Sequence, residues 1–380
     1  MRKNSSREMA DKKLTVVQML PALDAGGVER GTLELGRYLT ELGHRSIVIS
    51  TGGRMLAELL EQGSEHYCWD VGTKRLRTLL WIRKVRKLLL ELKPDILHLR
   101  SRLPAWIGYQ AWKKLPVDSR PKLVTTVHGP YTPGWYSSVM TRGERVIAIS
   151  EMIRQYILKH YKKVDQDNIR IIHRGVSRTQ YYPDYNPDEQ WLTQWKQDFP
   201  QLSDKYIVTL PARITRWKGH VDFIKIIAGI KQQGINVAGL VVGEPHKRKQ
   251  KFMLELEQQI ADAGLQQEII FTGHRNDLKN IMAVSDVVLS LALEPEAFGR
   301  TTIEALSLGI PVAGYDHGGV HEQLATVLPA GAIYPRDVAA MTRLLVQWYD
   351  SKPELINEHP FTLENMLSKT LAVYKELVTC

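Results

Sequence analysis

The chain has two cysteines in 380 residues, Cys68 and the terminal Cys380, and neither stands at a spacing that holds zinc or a redox pair. A disulfide framework and a zinc module are therefore excluded, and both thiols are expected to stay reduced. Long apolar runs are missing as well. No uninterrupted stretch could span a bilayer, and Met1 to Lys13 is polar and charged without an apolar h-region, so a cytoplasmic protein is expected. There is no sequence repeat and no recognised nucleic-acid module, and nucleic acid is not an expected partner. The loop after the first strand is not G-x-G-x-x-G, and the second strand, Ile47-Val48-Ile49-Ser50, ends without an acidic residue for an adenosine ribose. A nicotinamide-dependent dehydrogenase is thereby disfavoured.

Acidic residues are in deficit. Fifty-one Lys and Arg against 41 Asp and Glu give a net charge of +10, which calls for an acidic partner: nucleic acid, anionic lipid or a phosphorylated substrate. Part of the excess lies in Lys74-Arg75-Leu76-Arg77 and in a helix expected through Trp81 to Leu89. At 100° per residue, Ile82, Val85, Leu89 and Leu92 share one side and Arg83, Arg86 and Lys87 the other. That pattern suits a helix packed on a sheet with its charges in water, and the basic surface it leaves could rest on an anionic membrane. The run Lys247-Arg248-Lys249-Gln250-Lys251 is a short solvated charge cluster.

What is present is ordinary globular composition, 43% hydrophobic and 24% charged, in a chain long enough for two cores. Apolar strands alternate with helical patterns: Leu14 to Leu20, a helix to about Leu42, Ser46 to Ser50, the basic helix, Asp95 to Leu99, Lys122 to Val127, and Val146 to Ile149 before a helix that Ser150 can N-cap. The pattern loosens between Arg174 and Phe199. It resumes with Tyr206 to Leu210, a helix from about His220, Ala238 to Val242, a helix to about Ala263, and Ile269 to Phe271. This βαβ order predicts an α/β fold of two doubly wound, Rossmann-like domains, residues 1–178 and 179–360, with a terminal helix within 361–380.

The segment Glu296-Ala297-Phe298-Gly299-Arg300-Thr301-Thr302-Ile303-Glu304 follows the apolar run Val287 to Leu291 and continues into a helix that Gly309 can end. It sits where parallel sheets bind ligands. Gly299 lets backbone approach a ligand, and the first N–H groups near Thr301 and Thr302 would face a phosphate. Glu296 and Glu304 could then reach different hydroxyls of one ligand. A competing reading makes Thr301 and Glu304 a capping box, which would leave Glu304 a helix-start residue only.

This segment resembles the E-x7-E signature of the retaining family 4 glycosyltransferases, and its continuation Glu304 to Val312 is similar to the family pattern too. The resemblance implies the GT-B architecture, in which two such domains face a cleft and a C-terminal helix, here Thr362 to Leu377, returns to the first domain. It implies that Glu296 contacts the donor sugar and Glu304 the ribose, with Phe298, Gly299, Arg300, Thr301 and Thr302 around the donor. Pro211-Ala212-Arg213-Ile214-Thr215-Arg216-Trp217-Lys218-Gly219 looks like the family's Gly-Arg-Leu and Lys-Gly motif with Ala212 in place of Gly. Arg213 and Lys218 would then hold the diphosphate. A lysine at a helix start opposes the dipole unless an anion is bound, which favours that role over two solvated cations. Gly26 and Gly27 match the family's glycine-rich loop beside the donor, and His128, ending Thr125-Thr126-Val127-His128, matches a histidine near the reacting centre.

His98, inside Ile96 to Leu99, reads as a core residue with one hydrogen bond, and Arg100 and Arg102 as solvent-exposed or facing an anionic acceptor. Asp165-Gln166-Asp167 is rejected as a metal motif because it follows Lys162-Lys163-Val164 in a loop rather than an apolar strand. Arg174-Gly175-Val176 resembles the family's Asn-Gly-Val, with Arg for Asn, and receives no role. The expected reaction is metal-independent, cofactor-free hexosyl transfer from a nucleotide sugar, commonly UDP-linked, to a glycan or lipid-linked acceptor such as lipopolysaccharide. Its rivals are a two-domain sugar-nucleotide epimerase or phosphorylase, and a non-catalytic nucleic-acid or partner-binding subunit.

Overall fold

A computed structural model describes residues 12–24, 26–245 and 250–379. The expectations placed on Met1 to Asp11, Lys247 to Lys249 and Cys380 lie outside the described residues. The chain forms two compact units. One contains the described residues up to His173 together with those from Asn365 onward, and the other runs Arg174–Glu364.

The first unit is built on β1 (Thr15–Met19), α1 (Gly27–Glu41), β2 (Arg45–Ser50), α2 (Leu56–Glu61), β3 (Glu65–Cys68), α3 (Trp81–Leu92), β4 (Ile96–Leu99), α4 (Arg102–Lys113), β5 (Lys122–Val127), β6 (Arg145–Ala148), α5 (Glu151–His160) and β7 (Ile169–Ile171). The strands form one sheet in the order β3-β2-β1-β4-β5-β6-β7, each pairing parallel. The chain reverses its direction of growth between β1 and β4, so the loops after those two strands flank a crevice. Central strands are covered on both faces, which is why they read as nearly continuous apolar runs. Helix α3 buries Val85, Leu88 and Leu89 and exposes Arg83, Arg86 and Lys87. Ser150 caps α5 by accepting from the Ile153 N–H at 3.2 Å.

Three polar side chains depart from expectation inside this core. His98 has two partners rather than one: Nδ1 lies 2.6 Å from the Tyr374 hydroxyl and Nε2 2.7 Å from Thr126 Oγ1. Arg100 is neither exposed nor at the surface. It is 3% exposed, donates to Gln18 Oε1 at 2.9 Å, and burial pulls its pKa down. Gln18 in turn donates to the Thr32 carbonyl. Elements α2, β3, α4 and β7 were not legible because they are short or, in α4, begin with Arg-Leu-Pro and pack small residues, Ala105, Gly108 and Ala111, against the sheet.

The C-terminal helix (Leu363–Thr379) joins this unit through Tyr374 and through Glu376, whose Oε1 accepts from Arg145 at 2.7 Å and Arg170 at 2.6 Å. The Arg170 and Arg145 guanidinium groups hold the Glu376 carboxyl below its usual range. A carboxyl with a depressed folded pKa stabilises fully above its unfolded pKa and loses that contribution as pH falls toward the folded value. Glu376→Gln is expected to destabilise the unit by about 1 kcal/mol at pH 7, since the network is partly solvated. In urea titrations the gap between wild type and variant should close as pH drops below about 4.5; a pH-independent gap would refute this.

The second unit contains α6 (Glu189–Asp198), β8 (Tyr206–Pro211), α7 (His220–Gln232), β9 (Val237–Val242), α8 (Gln250–Asp262), β10 (Ile269–Gly273), α9 (Leu278–Ala283), β11 (Val287–Ser290), α10 (Arg300–Ser307), β12 (Val312–Tyr315), α11 (Gly318–Val327), β13 (Ala332–Ile333) and α12 (Val338–Asp350). Its parallel sheet runs β10-β9-β8-β11-β12-β13. Helix α6 lies in the stretch expected to be loose. Asp188 caps it, and Trp195 buries beside Leu202, Ala238 and Leu240.

Candidate active site

Strands β8 and β11 are neighbours although two strands separate them in the chain, so the loops that leave their C-terminal ends emerge together. The first loop carries Arg213 to Gly219, the second Leu291 to Gly299. They are fastened by a 2.6 Å hydrogen bond from the Leu293 N–H to the Trp217 carbonyl. Gly219, at φ +76°, lies so close that a Cβ there would stand 2.1 Å from the Leu291 carbonyl oxygen. This contact is what brings Lys218 to Glu296: Nζ and Oε1 are 2.6 Å apart, with side chains only 16% and 20% exposed.

A third loop supports the second from behind. The Gly319 N–H donates to the Glu296 carbonyl at 2.8 Å, and Gln323 donates to the Phe298 carbonyl. Any side chain at Gly319 would meet Phe298 Cα at 2.3 Å. Gly318, Gly319 and Gln323 were missed in the sequence, although a glycine pair between a strand and a helix is the same signal that singled out Gly26 and Gly27.

The capping-box reading of Glu304 is not what the helix uses. Gly299, left-handed at φ +79°, occupies the cap position without a side-chain cap, and Arg300 is the first helical residue. Glu304 is thus the fifth residue of α10, buried at 8%, and its Oε1 accepts from Arg300 Nε at 2.7 Å. Each carboxylate of the E-x7-E pair therefore has its own cation. The N–H groups of Arg300 and Thr301 open the helix, Thr302 is buried, and Phe298 is packed beneath the loop.

Arg213 is exposed on the first loop, and among the described residues no carboxylate pairs with it. Ala212, the departure from Gly, keeps the loop in register through its N–H to the Val242 carbonyl at 3.0 Å. His220, at the start of α7, is buried and adds no charge near neutral pH, because burial pushes its pKa down to about 4. The cations of this loop are Arg213, Arg216, which pairs with Glu255, and Lys218, which pairs with Glu296.

Gly26, Gly27 and His128 belong to the first unit. Gly26, at φ +140°, precedes α1, and a Cβ on Gly27 would meet nothing within 4 Å. His128 follows β5, half-buried, with its backbone N–H 3.3 Å from the Tyr131 hydroxyl. Asp165 caps the turn Gln166–Asn168 through the Asp167 N–H. Among the described residues no group of three His, Cys, Asp or Glu could hold a metal ion. Cys68 is a free, exposed thiol, and no helix of the described residues is long and apolar enough to cross a membrane.

Comparison with known proteins matches two family descriptions in succession: Glycosyltransferase Family 4 over residues 25–180 and Glycosyl transferases group 1 over residues 193–358. A crystal structure of a glycosyltransferase from Rickettsia africae is 31% identical, covers 97% of this chain and 99% of its own, and superposes with a TM-score of 0.84. HepE of Anabaena, solved with UDP and glucose, shares the fold at 18% identity, with 96% and 100% coverage and a TM-score of 0.77. The lipopolysaccharide core biosynthesis mannosyltransferase LpsB of Rhizobium meliloti is 25% identical over 265 residues, 64% of this chain and 69% of LpsB. For the two curated relatives matched first, the aligned segment spans 38% and 78% of their own length.

Proposed function

This chain belongs to the family 4 glycosyltransferases, and we propose that it transfers a hexose from UDP to a hydroxyl of a lipid-linked glycan, with retention at the anomeric carbon. The observation that carries this reading is the Lys218–Glu296 pair at the crevice between β8 and β11, beside the opening of α10. A departing diphosphate accumulates negative charge, and a preorganised cation in a partly desolvated site stabilises it. Lys218 and Arg213 take that role. Glu296, released from Lys218 when the diphosphate arrives, accepts from sugar hydroxyls, and Glu304, steadied by Arg300, accepts from the ribose. The N–H groups at Arg300 and Thr301 complete the phosphate contacts.

Neither carboxylate acts as a nucleophile here, since each serves as a hydrogen-bond acceptor for a different part of the donor. The leaving phosphate oxygen takes the acceptor proton as the glycosidic bond to the donor breaks and the new one forms on the same face. UDP is favoured because HepE was solved with it. A lipid-linked acceptor is favoured by the net charge of +10 and by the likeness to LpsB. Co-sedimentation with anionic liposomes at low salt tests the accompanying membrane contact on the cytoplasmic face.

UDP at 100 times its dissociation constant should add about 2.7 kcal/mol, which for units of this size raises the melting temperature by several degrees. NAD should leave it unchanged. Retention is read from the anomeric proton coupling of the product. No stabilisation by any nucleoside diphosphate would refute the donor assignment, and accumulation of an epimerised donor or a sugar phosphate would favour an epimerase or a phosphorylase.

A further inference from the structure

The first unit contains a cavity of about 730 Å³ that the donor chemistry does not use. That is within the size range of small-molecule sites. It lies where the segments after β3, β4 and β5 come together, at the carboxyl ends of the strands, the side on which parallel sheets bind ligands. Its walls are Leu79, Ile82, Leu103, Trp106, Ile107 and Trp135, with Lys74 and Arg75 at its edge, and no aspartate or glutamate lines it.

Several features distinguish this from a packing defect. Leu79 and Trp135 are 60% and 71% exposed, so the cavity opens to water through apolar side chains. Trp135 stacks on Trp106 with centroids 4.2 Å apart, and Trp106 Nε1 is anchored to the Tyr136 carbonyl at 2.8 Å. Cations lie against the aromatic rings: Lys74 Nζ is 5.5 Å from the Tyr136 ring, and Arg102 stands over both Tyr131 and Tyr136. Tyr131 also meets the His128 N–H, so the wall continues to the strand end that bears His128.

We infer that this cavity takes the hydrocarbon chain of a single anionic amphiphile, with its phosphate held by Lys74 and Arg75, and that this amphiphile is the lipid part of the acceptor. A glycan is the poorer fit, because half of the lining is aliphatic or tryptophan and its uncharged polar groups, Thr73, Thr78, Gln110 and Tyr136, come without a carboxylate. A chain of methylenes needs no polar partner, and a cationic edge matches a phosphate headgroup. Only the identification with the acceptor rests on the transferase reading above; the affinity for an amphiphile does not.

The test is calorimetric titration of the full chain with dodecyl phosphate below its micelle concentration. Saturable one-to-one binding is expected, about tenfold weaker for decyl phosphate because two fewer methylenes are buried, and undetectable for inorganic phosphate. Leu79→Asp, at an exposed position that should not disturb folding, should weaken binding at least tenfold, whereas Leu60→Asp, at an exposed leucine on α2, should not. Equal affinity for dodecyl phosphate and inorganic phosphate, an unaffected Leu79→Asp variant, or binding seen only with anionic vesicles would overturn the inference. UDP is titrated in parallel. UDP binding without alkyl phosphate binding sinks this inference alone, and the reverse sinks the donor assignment alone.

Discussion

Lys218→Ala is expected to lower turnover of a UDP-hexose about a hundredfold, the usual effect of removing one preorganised group that stabilises transition-state charge. Glu296→Ala should lower it at least tenfold. In the free protein the two side chains satisfy each other at 2.6 Å, and with 16% and 20% exposure the surviving partner of either single variant stays poorly solvated. Each single variant should therefore lose about 1–3 kcal/mol of stability from an unsatisfied charged group, and the double variant should lose less than the sum. If, as proposed, the diphosphate replaces Glu296 as the partner of Lys218 when donor binds, kcat should fall by more than the stability loss alone would produce. The measurements are UDP release under saturating donor and a thermal double-mutant cycle. Near-normal turnover in both single variants would sink the site assignment, and additive stability losses would mean that the pair is not coupled.

Gly219→Ala should be among the most damaging single substitutions in the second unit. A left-handed backbone costs a non-glycine residue about 1–2 kcal/mol. At Gly219 a Cβ also meets the Leu291 carbonyl oxygen at 2.1 Å, which forces the two loops apart and threatens the Leu293–Trp217 hydrogen bond. The expected total is about 3 kcal/mol or more, a fall of roughly 6–12 °C in melting temperature, with loss of transfer because Lys218 and Glu296 no longer meet. Gly234 provides the internal comparison. Its φ of +80° is nearly the same, but a Cβ there meets nothing within 4 Å. Gly234→Ala should therefore cost only about 1 kcal/mol. If the two variants melt together, backbone conformation rather than close approach sets the requirement at Gly219.

Much of the candidate site's local geometry was legible in the sequence because its parts are local. The run Glu296 to Glu304, just past an apolar strand, announces a glycine turn and a helix within nine positions, and Arg213 to Gly219 stands at the corresponding place between a strand and a helix with cations. The capping-box alternative was equally local and equally consistent with the spelling. It failed because Gly299, not Thr301, takes the left-handed cap, which moves Glu304 into the body of the helix and within reach of Arg300. Arg100 was misread for a related reason: one residue past a strand, nothing in the neighbouring letters reveals that the folded unit will bury it against Gln18. The paired glycines Gly318 and Gly319 carried a readable signal, but its meaning lay in a partner loop about twenty residues away.

Alternating apolar strands and amphipathic helices dictated two doubly wound sheets, since hydrophobic period and chain direction leave few other ways to bury those faces. The motif residues dictated the reaction class through their resemblance to a family. Tertiary structure decided the partnerships. Lys218 and Glu296 lie 78 residues apart and meet only because β8 and β11 pair in the sheet while β9 and β10 are laid outside them. Strand order is a property of packing the whole unit, and so are the burial of Arg100, the second hydrogen bond of His98 and the open apolar cavity beside Trp106. Each depends on groups distant in sequence that come within a few ångströms only once the sheet has formed.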